Sequence, residues 1–266
     1  MEGIHLFVID PQNDFCHPEG ALSVPGADAD MERLAGFVDR VRARIEAVHV
    51  TLDSHRTVDI SHPIWFVDHA GHHPAPFTHI TADALARGDW RTSRPEAQER
   101  TLAYLRALEA GGRYPHVIWP EHCLVGSPGH NVWPSLFEAL QRWSAGHALV
   151  EFVLKGTNPY TEHFSAIRAE VPDPDDPTTL PNAALLKRLA EAGTVVVAGQ
   201  ASSHCVAHSV RDLLDAVGDP GFAGRVVLLE DAMSPVAGFE PYAEAFLADM
   251  RERGVRVATT EQFAES

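Results

Sequence analysis

The sequence predicts an α/β fold in which a mainly parallel sheet of about six strands lies between two layers of helices. Short apolar runs rich in β-branched residues, such as 195–197, are typical of strands that are buried on both faces of a parallel sheet. Longer segments with apolar residues at helical spacing alternate with these runs, as at 32–48. Strand–helix–strand order with helices long enough to cross over favours parallel pairing, and the helices then cover both faces of the sheet.

The individual elements follow these two patterns along the chain. The first strand stops at Asp10, before a loop rich in proline and glycine, and a later helix is closed by Gly193. Strands are predicted at 5–9, 48–52, 116–119, 149–154, 195–197, 226–229 and 255–258, and helices at 32–48, 95–110, 134–143, 182–192, from Cys205 onward and at 241–253.

We expect one domain over 1–266, because no change in composition and no low-complexity tract divides the chain. The alternation of strand-like and helix-like segments is interrupted at about 56–115. Prolines and histidines are frequent there, and hydrophobic periodicity is weak until helix 95–110. A loop of this length is unusual in a compact domain and often belongs to a functional site. We therefore predict a loop or lid insertion there.

Composition narrows the partners and the compartment. The formal net charge of -16 argues against nucleic acid or an anionic membrane as partner. Three scattered cysteines are too few for a disulfide framework. The first apolar run is interrupted by polar residues, unlike a signal peptide, and no apolar stretch reaches membrane-spanning length. We expect a cytoplasmic protein.

Reactive side chains follow the predicted strands at their carboxyl ends, which form the ligand-binding edge of open parallel sheets. Cys205 follows strand 195–197 through a short turn and begins a helix. The N–H groups and dipole of a helix N-terminus lower the pKa of a thiol and can hold an oxyanion. The set at this edge is Asp10, Asp53, His122, Lys155 and Cys205.

Each of these residues also has a simpler interpretation. A cysteine in such a turn is often only a small buried residue, and Lys155 could lie in solvent. Asp10 before a proline could begin a turn. His122 beside Cys123 suggests a metal–thiolate site, but the chain has no Cys-x-x-Cys partner for structural zinc.

Four motifs together resemble the isochorismatase-like cysteine hydrolases, and within them the nicotinamidases. Two departures accompany the match: the segment 65–116 is longer than a minimal member needs, and Gln200 stands where an aliphatic residue is usual. The motifs are Asp10-Pro11-Gln12-Asn13-Asp14-Phe15, Lys155-Gly156, Gly199-Gln200-Ala201-Ser202-Ser203-His204-Cys205-Val206, and the metal signature Asp53-Ser54-His55 with Trp119-Pro120-Glu121-His122-Cys123.

The resemblance implies the isochorismatase-like hydrolase fold and a nicotinamidase reaction, in which nicotinamide and water give nicotinate and ammonia as part of NAD salvage. It implies that Cys205 is the nucleophile, that Asp10 carries its proton and that Lys155 stabilises the ionised forms. The N–H groups of Ala201 and Cys205 would form the oxyanion hole, with a cis peptide bond between Gln200 and Ala201.

The resemblance also implies a metal site and a pocket for an aromatic ring. Zinc is the favoured ion, with iron and manganese as alternatives, and it would bind the pyridine nitrogen. His62 is assigned as a ligand because it is the nearest candidate for the third histidine. It lies further from Asp53 in sequence than the corresponding histidine of the family pattern. The implied ligands are Asp53, His55, His62 and His122, and the implied substrate-binding residues are Phe15, Trp119, Gln200 and His204.

Two other functions remain open at this stage. The first is a metal-free amidase of the same family that acts on another small amide or ureide. The second is a non-catalytic, metal-binding member of the family. An isochorismatase proper tends to lack both the Asp-x-His pair and the cysteine, so both residues argue against that activity. We also expect a homo-oligomer.

Overall fold

The computed structural model of the chain describes residues 3–264 and has a six-stranded sheet at its centre. The strand order is β5-β2-β1-β6-β7-β8, and all neighbours in this sheet are parallel. The three-layer α/β/α prediction is confirmed. The strands are β1 (Ile4–Ile9), β2 (Ile45–Asp53), β3 (Phe66–Val67), β4 (Arg91–Thr92), β5 (Val150–Lys155), β6 (Thr194–Gly199), β7 (Val226–Leu229) and β8 (Arg256–Ala258).

Helices cover both faces of the sheet, and amphipathic ones pack their apolar side onto it. They are α1 (Asn13–Cys16), α2 (Ala27–Val41), α3 (Ala82–Arg87), α4 (Gln98–Gly111), α5 (Pro134–Ser144), α6 (Ala183–Glu191), α7 (Cys205–Val217), α8 (Pro220–Ala223), α9 (Glu240–Glu252) and α10 (Thr260–Ala264). The central strands β1 and β6 are almost completely buried, as the apolar runs predict. Within residues 3–264, none of the helices has the length and hydrophobicity to cross a membrane.

Two sequence-based predictions of elements were wrong. The predicted helix 32–48 is α2, which starts earlier and ends at Val41, because Ile45 pairs with Ile4 of the sheet rather than continuing the helical face. The predicted strand 116–119 does not join the sheet. Val117 makes only an isolated bridge with His79, and Trp119 donates its backbone N–H to Ser61. Pairing with distant segments overrode local preference in both cases.

The 56–115 segment contains α3, α4 and a β3–β4 hairpin. Its apolar side chains form a cluster separate from the main core, with Trp65, Phe66 and Leu105 among its buried members. Helix α4 agrees with the predicted helix 95–110 apart from an initial 3₁₀ turn. The interpretation of the segment as a lid stays a prediction.

Candidate active site

The four adjacent strands β5, β2, β1 and β6 end at the same edge of the sheet. Asp53 pairs in register with Lys155, and Ile9 pairs with Gly199. Asp10 follows β1 directly, and its φ of 46° ends the strand there. This register brings the predicted strand-end residues together at the carboxyl edge.

Two glycines allow the strand ends to approach this closely. Gly199 has a φ of 119°, and a Cβ there would lie 2.0 Å from the Ile9 carbonyl oxygen. Gly156 has a φ of 75°, and a Cβ there would lie 2.7 Å from Oδ1 of Asp53. Any larger residue at either position would push the strand ends apart.

Lys155 is the centre of the buried polar cluster. Its Nζ lies 2.9 Å from Oδ2 of Asp10 and 3.0 Å from Oδ1 of Asp53. The same atom lies 3.5 Å from Sγ of Cys205 and donates a hydrogen bond of 3.0 Å to the His163 carbonyl. Lys155 is only 1% exposed, so these contacts act with little screening by water.

The electrostatic environment keeps the thiol neutral at rest. Burial raises the pKa of the Cys205 thiol well above its ordinary value, and Lys155 offsets only part of this effect. Burial also raises the pKa of Asp10, again against the attraction of Lys155. Burial alone would lower the pKa of Lys155, but Asp10 and Asp53 outweigh it and hold that pKa well above its usual range. A carboxyl with a raised pKa beside a thiol is suited to accept and return a proton.

Thr51 fixes the orientation of the Asp10 carboxylate. Its Oγ1 donates a hydrogen bond of 2.5 Å to Oδ1 of Asp10 and accepts one of 3.0 Å from the Asp10 backbone N–H. Oδ2 is thereby left to face Lys155. Sequence reasoning missed Thr51, because a threonine inside a strand is ordinary.

The turn before α7 has the predicted cis peptide bond between Gln200 and Ala201. The N–H groups of Ala201 and Cys205 have no backbone acceptor within residues 3–264. Tyr114 supports this turn from outside, since its hydroxyl donates a hydrogen bond of 2.7 Å to the Ser203 carbonyl and its ring packs against His204. Free N–H groups beside Cys205 can stabilise a developing oxyanion.

A group of potential metal ligands lies next to this cluster. Atoms of Asp53, His55 and His122 lie within 4.8 Å of one another, and all three residues are buried. Nε2 of His55 is 3.1 Å and Nε2 of His122 is 3.5 Å from Oδ2 of Asp53. The His62 ring is close by, with its centroid 5.2 Å from that of His55 and 5.5 Å from that of His122. Asp53 thus faces Lys155 with one oxygen and the histidines with the other.

The three imidazoles are oriented as metal ligands usually are. Nδ1 of His122 lies 2.8 Å from the Pro120 carbonyl, and Nδ1 of His62 lies 3.1 Å from the Arg56 carbonyl. A carbonyl only accepts hydrogen bonds, so each Nδ1 carries the proton and each Nε2 keeps its lone pair. Nδ1 of His55 likewise lies 3.0 Å from Oδ2 of Asp59.

His62 fits the same role although it lies outside the tight group. Its Nε2 is buried without a hydrogen-bond partner among residues 3–264, which is costly unless a ligand satisfies it. Burial lowers the pKa of His62 to about 4, and His55 and His122 add to this effect. Three imidazole nitrogens with a carboxylate oxygen suit zinc, iron or manganese, so the donor set fits a divalent ion.

A cavity opens onto both clusters. Phe15, Trp119 and His204 line it, as the resemblance implies, together with Ala201 and Cys205. Phe164 and Glu162 also line it, and neither has a sequence signal of its own. Its walls combine aromatic rings with a few polar groups, which is typical of a pocket for a small planar ligand.

Gln200 is placed differently from the other predicted substrate-binding residues. Its side-chain amide donates a hydrogen bond of 2.9 Å to Oδ2 of Asp30 and accepts one of 3.3 Å from the Ser234 N–H. The described residues that line the cavity do not include it. These contacts tie the turn before α7 to α2, where Asp30 lies.

The chain is similar to known nicotinamidases in sequence and in fold. No family model matches the chain. The chain is 26% identical over 213 residues to the nicotinamidase of Escherichia coli (strain K12), covering 79% of this chain and 75% of that protein.

Two solved structures share the fold. A nicotinamidase and pyrazinamidase from Acinetobacter baumanii superposes with a TM-score of 0.67 at 22% identity, over 99% of each chain. A pyrazinamidase from Pyrococcus horikoshii, solved in complex with zinc, superposes with a TM-score of 0.55 at 20% identity, over 96% of this chain and 98% of that one. The chain resembles the isochorismatase-like cysteine hydrolases, and among them the nicotinamidases, in sequence and in fold.

Proposed function

We propose that this protein is an amidohydrolase that converts nicotinamide and water to nicotinate and ammonia through a thioester on Cys205. The observation that carries the proposal is the buried arrangement of Asp10, Lys155 and Cys205, in which one ammonium contacts both the carboxylate and the sulfur. The sequence similarity to the Escherichia coli nicotinamidase supports the choice of substrate.

In the first half-reaction Cys205 attacks the carboxamide carbon. The S–H proton passes to Asp10 while the sulfur–carbon bond forms, and the N–H groups of Ala201 and Cys205 hold the resulting oxyanion. Lys155 offsets the negative charge that develops on the sulfur. Asp10 then gives the proton to the departing nitrogen, the carbon–nitrogen bond breaks and ammonia leaves.

In the second half-reaction water attacks the thioester. Asp10, again a carboxylate, takes a proton from the water as the new carbon–oxygen bond forms. The carbon–sulfur bond breaks, the sulfur regains a proton from Asp10, and the nicotinic acid gives its remaining proton to solvent and leaves as nicotinate. Because the base of one step is the acid of the next, a single carboxyl serves both halves of the reaction.

The metal site has a separate part in the proposal. Asp53, His55, His62 and His122 would hold one divalent ion, with zinc favoured because the Pyrococcus horikoshii pyrazinamidase was solved with zinc. Such an ion would supply a Lewis acid for the pyridine nitrogen. Phe15 and Trp119 would hold the faces of the ring, and the ring would thereby be fixed with its carboxamide at Cys205.

The direct test is an ammonia-release assay with a panel of small amides on the purified, metal-loaded protein. We expect nicotinamide and pyrazinamide to be hydrolysed and malonamide, biuret and carbamoyl amines to be poor substrates. Preference for one of the amides without a ring would favour the alternative function, a metal-free amidase that acts on another small amide or ureide. Absence of ammonia release from every amide would favour a non-catalytic metal-binding protein.

We predict that His122→Ala lowers the metal content below one ion per chain and harms nicotinamide hydrolysis far more than benzamide hydrolysis. Benzamide has the ring but no ring nitrogen, so it cannot use the ion. His122 is a cleaner choice than Asp53, because Asp53 also binds Lys155. The two measurements are elemental analysis and kcat/KM for both amides.

The matched control is His130→Ala, a half-buried histidine near Ser54 that lies outside the ligand group. It should leave metal content unchanged. Equal losses with nicotinamide and benzamide in His122→Ala would show that the ion only stabilises the loop, and thermal stability would then fall with the ion.

A further inference from the structure

Glu162 is a buried carboxyl in the cavity wall that the reaction outlined above does not use. It is 5% exposed and lines the cavity together with Asp53 and His122. Oε1 accepts a hydrogen bond of 3.1 Å from the His163 N–H. Oε2 is buried without a hydrogen-bond partner among residues 3–264.

Glu162 also lacks a cationic partner in the part of the chain that the structure describes, since no ion pair involves it. The other buried carboxylates of the region are matched: Asp10 and Asp53 contact Lys155, and Glu170 contacts His208. Burial raises the pKa of Glu162 to about 7. A buried carboxyl with a free oxygen is destabilising unless a charge or a donor meets it.

Glu162 lies in the same cavity wall as residues of the proposed metal site. His55 and Asp53 are among the groups whose charges act on Glu162. Glu162 does not belong to the group of Asp53, His55 and His122, whose atoms lie within 4.8 Å of one another. An ion bound by that group could meet the free oxygen of Glu162 through a bridging molecule in the cavity that Glu162 shares with Asp53 and His122.

We propose that Glu162 is a positioning residue of the metal site, whose free Oε2 accepts a hydrogen bond from a water ligand of the ion. This inference rests on the metal site of the proposed function. Oε2 gains the donor that the protein does not provide, and the ion gains a second nearby negative charge beside Asp53. Outer-shell acceptors of this kind orient ligands and strengthen metal binding.

The test is a Co²⁺ titration of the metal-free full-length protein, followed by visible absorption of the bound ion. We expect Glu162→Gln to weaken Co²⁺ binding about 10- to 100-fold, as is usual when an outer-shell partner of a metal site is changed. Glutamine keeps the size and the contact with the His163 N–H, so the loss would report the missing charge. Glu162→Ala should weaken binding at least as much.

Thermal unfolding gives a second readout that a purely structural role would not produce. Without metal, Glu162→Gln should be at least as stable as the wild type, because it removes an unmatched buried carboxyl. The increase in Tm on adding Co²⁺ should be smaller than in the wild type, because a weaker ligand stabilises less at the same concentration.

The control is Glu170→Gln, another buried carboxyl on the same stretch of chain, which is paired with His208 away from the ligand group. It should keep the wild-type affinity for Co²⁺. The proposal is overturned if Glu162→Gln binds Co²⁺ within about twofold of the wild type, even if its ammonia release falls, or if both variants lose affinity equally. A wild type that binds Co²⁺ but hydrolyses no amide would instead contradict the proposed function and leave this inference intact.

Discussion

Cys205→Ala is expected to reduce ammonia release from nicotinamide by at least about 10⁴-fold while the protein stays folded. Without the sulfur no thioester can form, and alanine offers no other nucleophile at that position. Cys205 is 7% exposed and alanine fits its space, so the circular dichroism spectrum and the metal content should remain those of the wild type. The measurement is kcat with saturating nicotinamide.

The matched control for this variant is Cys16→Ala. Cys16 is also buried and has a pKa raised by burial to well above its ordinary value, but it lies in α1 rather than at the strand edge. Its loss should cost stability through a small cavity and leave kcat near that of the wild type. Substantial turnover by folded Cys205→Ala would contradict the role of the thiol.

Asp10→Asn is expected to be nearly as damaging to kcat as loss of the thiol. An amide cannot take the proton from Cys205, and it offers the Lys155 ammonium a neutral oxygen instead of a carboxylate. Lys155 would keep only Asp53 as a buried counter-ion, so the variant should also unfold at a lower temperature. Activity should be measured well below that temperature, with folding checked by circular dichroism.

The double variant tests whether Asp10 and Cys205 act in the same catalytic step or contribute to the rate independently. If Asp10 and Cys205 act in the same step, Asp10→Asn combined with Cys205→Ala should be no less active than Cys205→Ala alone. An Asp10→Asn variant that raised KM and kept kcat would identify Asp10 as a binding residue, and the base would then have to lie elsewhere.

The sequence was most informative where a reactive side chain follows a predicted strand. Asp10, Asp53 and Lys155 each stand at or just past the end of a parallel strand, and strand ends of one sheet share an edge. Their placement at one edge could therefore be predicted from the sequence, whereas their convergence depends on the strand order β5-β2-β1-β6, which only the fold shows. The nucleophile turn had a further signal, because small residues separate β6 from the apolar face of α7.

The residues that the sequence did not reveal are those placed by tertiary contacts. Glu162 lies in a loop after β5, and only the fold brings it into the cavity wall with Asp53 and His122. Tyr114 reaches the Ser203 carbonyl from a loop that is 89 positions away in sequence. Both are common residue types in ordinary loop contexts, so no local pattern distinguishes them.

The predicted strand 116–119 was wrong for a related reason. Its apolar residues are buried against the 56–115 segment, where Ile118 belongs to the separate apolar cluster. Burial of an apolar run looks the same in sequence whether a sheet or a loop core covers it. Long-range partners such as His79 and Ser61 decided the outcome.

The most direct test of the account is whether Cys205 adds to a carbonyl carbon held in this cavity. Nicotinaldehyde labelled with ¹³C at the aldehyde can be bound to the metal-loaded protein and followed by NMR. We expect the wild type to show the shift of a thiohemiacetal, and Cys205→Ala to show only the aldehyde or its hydrate. A thiohemiacetal signal that persists in Cys205→Ala, or bound aldehyde that stays unreacted in the wild type, would contradict nucleophilic catalysis by this cysteine.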